Sequence, residues 1–385
     1  MQQTKRPGLQ WGVILDALTP VVAALAALLV GAVMLMLLGA NPVQAYLALV
    51  QGAFGSFNSL ADTAVKATPL LFVALGICIA FRGGVINIGG EGQLVAGAVT
   101  ATALALALPN LSGWVMIPLC MVVGFLSGAV WGGIAGVLKA YFNVNEILST
   151  LMLNQIAVQS MNFLLRGPML DPDQFDSASR IPQTARLPVF YDLPRWVPTR
   201  LHLGALIAVI LAVLVYIFLW RTTIGYRIRA VGYNREASRY AGINVEAYMV
   251  LSLALSGAFA GLGGAVQVLG LNHRMFTDGS ATGFTGSAGF NGIVAALFGQ
   301  LHPIGSIPAS FFFGALLVGA NKLQRVMQVP AALITALNGL VVVFVVSSEI
   351  WRRRRARQRQ LAQMEQAEAP KPPEVPTPVE VSHDR

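Results

Sequence analysis

The sequence predicts an all-α polytopic membrane protein of about ten transmembrane helices, with broken or re-entrant segments and both termini in the cytoplasm. Three observations carry that expectation. Of 385 residues, 55% are hydrophobic and only 11% are charged, less than half the ~25% charge of a soluble domain. Mean hydropathy is +0.65. The apolar residues are gathered into runs with almost no internal charge, many of them near the ~20 residues that cross a bilayer.

The runs fall near 13–38, 63–81, 91–108, 114–138, 146–165, 203–220, 248–270, 290–301, 305–321 and 330–350. The first follows Lys5 and Arg6 but extends far beyond a signal-peptide core of roughly 7–15 residues, so it reads as a retained span. Between the second and third runs lies Arg82-Gly83-Gly84-Val85-Ile86-Asn87-Ile88-Gly89-Gly90-Glu91-Gly92-Gln93. Glycine this dense opposes a regular helix, at about 1 kcal/mol each relative to alanine. Broken backbone inside a membrane survives only when buried in protein or lining a wet cavity. Asn87, Glu91 and Gln93 therefore face the interior, either as a polar lining of a transport path or as a network satisfying the freed backbone groups.

In the fourth run Gly124, Gly128, Gly132 and Gly136 recur every four residues, and Gly257 and Gly261 repeat the spacing in the seventh. Small residues at this period let helix backbones approach closely in lipid. Gly261-Leu262-Gly263-Gly264 sits within a span with no preceding strand, so it is not a phosphate loop. The connection 166–201 carries Pro168, Pro172, Pro182, Pro188, Pro194 and Pro198. That density forbids a long regular helix and predicts a folded-back external cap or a surface that meets another protein. The eighth run is too short to cross comfortably. It follows a second glycine-rich stretch, Thr282–Gly292, which contains Phe290 and Asn291. Interrupted segments at matching places in two halves point toward a central site.

The 221–247 connection holds Asn234 as a helix cap, Glu236 in the first turn, Arg239 in the last and Gly242 as the stop. This is a short docking helix on the cytoplasmic face, or simply a basic inner loop without a partner, which composition alone favours. The division is thus a cytoplasmic N-terminus 1–12, a transmembrane domain 13–350, and a cytoplasmic tail 351–385. The tail is basic, then proline-rich, and its arginines suit anionic headgroups.

The formal net charge of +9 sits mostly in short segments between the runs. Nearly twice as many basic residues fall on the side of both termini as on the other. That asymmetry sets orientation and implies no nucleic acid. Cys78 and Cys120 lie inside apolar runs as small core residues. There is no G-x-x-x-x-G-K-[ST], H-E-x-x-H, C-x-x-C or G-x-S-x-G, and the four histidines are scattered. The residues predict neither catalysis nor a metal site. Ion coupling would need mid-membrane acids, and only Glu91 lies in an unusual segment.

Thr223-Ile224-Gly225-Tyr226-Arg227-Ile228-Arg229-Ala230-Val231-Gly232-Tyr233-Asn234, continuing through Arg239, Ala241 and Gly242, resembles the coupling loop of permease subunits in ATP-binding-cassette importers. The family handles branched-chain amino acids, simple sugars and nucleosides. Phe81–Gln93 and Gly289–Gly305 resemble its nucleoside branch, with Asn291 where an acidic residue often follows the phenylalanine. The resemblance implies a non-catalytic transport subunit of the bacterial cytoplasmic membrane, with Asn87, Glu91, Gln93, Phe290 and Asn291 near the substrate path. It implies that Gly225, Arg227, Arg229, Gly232, Asn234, Arg239, Ala241 and Gly242 couple to a separate ATPase. ATP and Mg would bind that partner, leaving no cofactor in this chain. The further partners implied are a second, non-identical permease and an extracytoplasmic binding protein or lipoprotein, with membrane lipids around them. A pentose-type sugar permease and a stand-alone ion-coupled carrier are the alternatives.

Overall fold

The computed structural model describes residues 28–37, 39–174, 181–280 and 282–328, with isolated positions on either side. The expected N-terminus, most of the first run, the run 330–350 and the tail lie outside the described residues. Twelve α-helices are defined among the described residues. They are α1 (Leu28–Leu37), α2 (Pro42–Phe54), α3 (Phe57–Arg82), α4 (Gly90–Ala107), α5 (Gly113–Phe142), α6 (Glu146–Arg166), α7 (Gly204–Arg221), α8 (Thr223–Tyr233), α9 (Arg235–Tyr240), α10 (Val245–Gln267), α11 (Ala288–Phe298) and α12 (Pro303–Met327). Extended pairing among these residues is confined to the isolated bridges Gln183–Phe276 and Arg195–His202.

Five helices are long and apolar enough to cross a membrane: α3, α5, α7, α12, and α10 with its π-helical extension to Asn272. Two helix starts differ from the sequence reading. Helix α2 was not among the apolar runs, and α3 begins six residues before the expected start at 63. Both starts carry ordinary caps. The Asn41 Oδ1 accepts from the Val43 N–H at 2.9 Å, with Pro42 at the first position, and the Ser56 Oγ accepts from the Ser59 N–H at 3.1 Å. These cap signals, unlike a hydropathy run, locate helix ends.

Helices α3 and α10 lie antiparallel at the centre, with Gly76 beside Ser256 and Gly83 beside Ser252. Around them the triplets α3–α4–α5 and α10–α11–α12 exchange roles: α3 packs on α12 as α10 packs on α5, and α11 lies on α3 as α4 lies on α10. The glycines of α5 and those of α10 prove to be two sides of one interface. A Cβ on Gly128 would sit 2.8 Å from the Gly261 Cα, and one on Gly136 2.9 Å from the Val250 Cα. Only hydrogen fits there, and added methylenes in such packing cost about 1–3 kcal/mol.

The proline-rich connection folds back as a cap with two single-turn 3-10 helices, Pro172–Gln174 and Val189–Tyr191. Its backbone N–H groups at Thr184, Leu187 and Leu193 donate to the carbonyls of Met275, His273 and Leu269. The buried Tyr191 hydroxyl donates to the Leu108 carbonyl at 2.8 Å. Extended, proline-fixed backbone thus finds its partners at the end of α10.

Candidate functional site

The break after α3 is ordered by amides. The Asn87 Nδ2 donates to the Gln93 Oε1 at 2.9 Å and to the Ser256 Oγ at 2.8 Å. Its Oδ1 accepts from the Gly89 N–H at 2.8 Å and the Gln93 Nε2 at 3.1 Å. From α6, the Asn154 Oδ1 accepts from the Gly92 N–H at 2.8 Å while its Nδ2 donates to the Ile88 carbonyl at 3.0 Å. Asn87, Glu91 and Gln93 are all buried. A left-handed Gly84, φ +69°, lets the chain leave α3 and turn back toward the middle of the bundle.

The second glycine-rich stretch meets the first end to end. The N-terminus of α11 abuts that of α4: a Cβ on Gly289 would lie 2.7 Å from the Gly90 carbonyl carbon. The Glu91 Oε1 accepts from the Phe290 N–H at 3.3 Å, and its Oε2 has no partner among the described residues. A carboxylate between two helix N-termini stands where both dipoles favour negative charge. Phe290 is partly exposed and Asn291 intermediate. The structure therefore brings Glu91 and Phe290 together, with Asn87 and Gln93 in an adjoining network and Asn291 on the next position of α11.

The 221–247 connection folds into two helices, where the sequence signalled only the second. The Asn234 Oδ1 accepts from the Ala237 N–H at 3.0 Å to cap α9. Ala241 follows its last turn, Gly242 at φ +76° stops it, and the Ile243 N–H closes back on the Ser238 carbonyl at 3.0 Å. Arg239 pairs with Glu246 at the start of α10. Helix α8 is capped by Thr222, whose Oγ1 accepts from the Gly225 N–H at 3.1 Å. Arg227 donates to the Tyr248 hydroxyl at 3.0 Å and Arg229 to the Leu219 carbonyl at 2.9 Å. Gly232 lies against Gly84, where a Cβ on Gly84 would be 2.8 Å from the Gly232 Cα. Most of these side chains fasten the element to the bundle. What it offers outward is aromatic: Tyr233 and Tyr240 are 95% and 94% exposed, and Tyr226 rims the same 570 Å³ cleft as Tyr233 and Asn234. Exposed aromatics beside a cleft mark a surface for a partner.

One surface escaped the sequence reading. Helix α6 has four amide side chains within nine positions; Asn154 and Asn162 point inward, whereas Gln155 and Gln159 join Met152, Ile156, Ser160 and Phe163 on an exposed face. Gln155, Gln159, Ser160 and Phe163 line an open groove of about 560 Å³. The Gln159 Oε1 accepts from the Asn162 Nδ2 at 3.2 Å, which leaves Gln155 as the amide of this face without a partner among the described residues. Such a group costs about 4–8 kcal/mol in an alkane-like phase, so this face does not belong against lipid tails. The polar residues were visible in the sequence, but their division between core and surface depends on how α4 and α5 pack.

Residues 59–346 match the family described as branched-chain amino acid transport system, permease component. The guanosine permease NupP of Bacillus subtilis is 33% identical over 333 residues, covering 86% of this chain and 93% of its own. The glucose permease TsgB13 of Haloferax volcanii is 35% identical over 351 residues, 88% and 89% of the two chains. The nucleoside permease NupB of Lactococcus lactis is 31% identical over 332 residues, 85% and 90%. The same two bacteria each hold a second, more distant relative, NupQ at 29% and NupC at 26% identity. No solved structure is significantly similar to this chain. A helical bundle built on apolar spans, matched over most of its length, leaves one assignment: the chain is a multi-pass membrane protein that belongs to the branched-chain amino acid transport system permease family.

Proposed function

We propose that this chain is the translocation subunit of an ATP-driven importer for nucleosides or related nucleobase compounds in a bacterial cytoplasmic membrane. The observation that carries the reading is its likeness to the guanosine permease NupP over 86% of the chain. Orientation follows from charge: the arginine-rich α8–α9 element faces the cytoplasm, the 166–201 cap faces outward, and ten crossings bring both termini inside. Two crossings are composite, each made of a broken stretch and a helix that starts inside the bundle, the 18-residue α4 or the 11-residue α11.

In this scheme the chain hydrolyses nothing. ATP and Mg bind a cytoplasmic ATPase that grips α8–α9 through Tyr226, Tyr233 and Tyr240. The NupP/NupQ and NupB/NupC pairs support a second, non-identical permease, and a binding protein or lipoprotein delivers substrate to the cap. The substrate path follows the exposed face of α6, opposite that second permease. Gln155 presents a donor and an acceptor and Gln159 its Nε2 donor, matching the edge of a nucleobase, and Phe163 offers a ring for stacking. Asn87 and Gln93 act as the framework behind the path, since their hydrogen bonds are taken internally. Glu91 joins the N-termini of α4 and α11.

A sugar cargo is the second reading, favoured by the 35% identity to the glucose permease TsgB13. Uptake of labelled guanosine, ribose and glucose by cells expressing the full complex decides between them. Guanosine uptake that stops on ATP depletion and persists with a protonophore supports the proposal. Sugar-only uptake selects the second reading, and uptake driven by an ion gradient without ATP rejects both.

A further inference from the structure

Trp220, on the last turn of α7, has two guanidinium groups over its ring. The Arg82 Cζ lies 5.4 Å and the Arg229 Cζ 5.7 Å from its ring centroid. Tyr216 stacks on it at 5.2 Å, and the His302 ring stands 5.2 Å away. Each arginine also holds something else. Arg229 belongs to α8 and donates to the Leu219 carbonyl at 2.9 Å. Arg82 ends α3, immediately before the first break, and reaches the Leu301 carbonyl with Nε and Nη2, both at 3.4 Å.

That carbonyl sits in a strained turn. Gln300 and Leu301 are consecutive non-glycine residues in the left-handed region, φ +60° and +53°, between α11 and α12. Two such residues in succession persist only where surrounding contacts over-determine them. A second strut runs nearby, from the Arg235 Nη2 to the Gly84 carbonyl at 2.8 Å. The α8–α9 element is therefore tied to the first break directly and to the α11–α12 turn through one indole.

The geometry points to Trp220 as the positioning residue through which movement of α8–α9 reaches the α11–α12 turn, with Arg82 as the second member of the relay. This rests on the reading of α8–α9 as the ATPase contact. A relay differs from a packing residue in what its loss changes: substrate moved per ATP hydrolysed, with subunit assembly intact. Cation–π attraction needs an aromatic face more than an indole in particular, so phenylalanine should substitute in part.

The test uses the complete complex in proteoliposomes, with labelled guanosine as probe and ATP hydrolysis measured in parallel. W220A should lower guanosine moved per ATP at least tenfold while basal hydrolysis stays within about twofold, and W220F should restore at least half of the ratio. An unchanged ratio in W220A, or an equal loss in W220F, overturns the relay. Should W220A not assemble, R82Q keeps the indole and is read in its place: a tenfold fall supports the relay and an unchanged ratio overturns it. Failure of the underlying reading is distinct, because the wild-type complex would then show no ATP-dependent uptake.

Discussion

The two breaks in the bundle are built alike and held differently. The first, residues 83–89, is seven residues long, and the Asn87, Gln93, Ser256 and Asn154 side chains satisfy its turn. The second, between Asn272 and Ala288, is more than twice as long and is held largely from outside: the cap pairs with it through Pro182, Thr184 and Leu187, and the Asn162 Oδ1 of α6 accepts from the Thr277 hydroxyl. The Gln267 Nε2 donates to the Phe284 carbonyl at 2.7 Å, the Thr285 Oγ1 accepts from the Ser287 N–H at 3.2 Å, and Glu91 reaches across to Phe290. Gln267 Oε1 and Glu91 Oε2 have no partners among the described residues. The comparison teaches that two helices meeting at their N-termini need not be held by the same means: amides inside the bundle anchor the first break, and the external cap holds the start of the second.

The largest expected effect tests the anchor. Asn87→Ala removes four hydrogen bonds and strands the Gly89 N–H and the Gln93 amide in the core. Unsatisfied buried groups cost about 1–3 kcal/mol each, so the variant should lose about 3–5 kcal/mol, read as lowered thermal stability in detergent. A loss below about 1 kcal/mol would mean that these amides do not hold the first break.

The next effect acts on the cap that pins the start of the second break. Burial, with His273 and Arg195 nearby, pushes His202 down to about 4. His273 is also lowered by burial, against the opposing pull of Asp192. For both, the unfolded chain takes up the proton first. Stability from the neutral rings is therefore complete above pH ~6.5 and falls as pH drops toward 4, by on the order of 3 kcal/mol for His202. The His202 Nδ1, which accepts from the Gly204 N–H at 3.2 Å, is lost as an acceptor on protonation. Hydrogen-exchange protection factors, taken relative to the intrinsic rate at each pH, should fall at Thr184, Leu187 and Leu193 between pH 6.5 and 4.5, and less so in H202Q. Equal pH dependence in the two proteins would exclude His202 as the cause.

The smallest effect is a matched pair. Gly84 and Gly286 are both left-handed, at φ +69° and +62°, but Gly84 is pressed against Gly232 whereas Gly286 has open space where a Cβ would go. Gly84→Ala should cost about 2–3 kcal/mol from strain and overpacking together, and Gly286→Ala about 1 kcal/mol from strain alone. Thermal unfolding of the two variants side by side measures the difference; equal losses would erase the distinction between the breaks.

Much of this was legible in the residues. Glycine spacing announced the α5 and α10 faces, and Asn234 with Gly242 bracketed α9, because both signals are local and periodic. Helix α2 went unseen because a 13-residue helix with Gln44 and Gln51 makes no long apolar run, although Asn41-Pro42 was a start signal. The glutamines of α6 could be read as polar but not as outward, since exposure is settled by neighbours distant in sequence. The arginines around Trp220 come from α3 and α8, and no spacing rule joins positions 82, 220 and 229.

The α5–α10 contact has a mechanical consequence. Where backbone meets backbone there are no rotamers to re-sort, so the pair cannot creep past one another in small steps. Prising them apart would strip the Leu253 and Gly257 carbonyls of their close neighbours and hand them to hydrocarbon. The two helices consequently behave as a single beam, and opening or closing of the molecule must be carried by what swings from it.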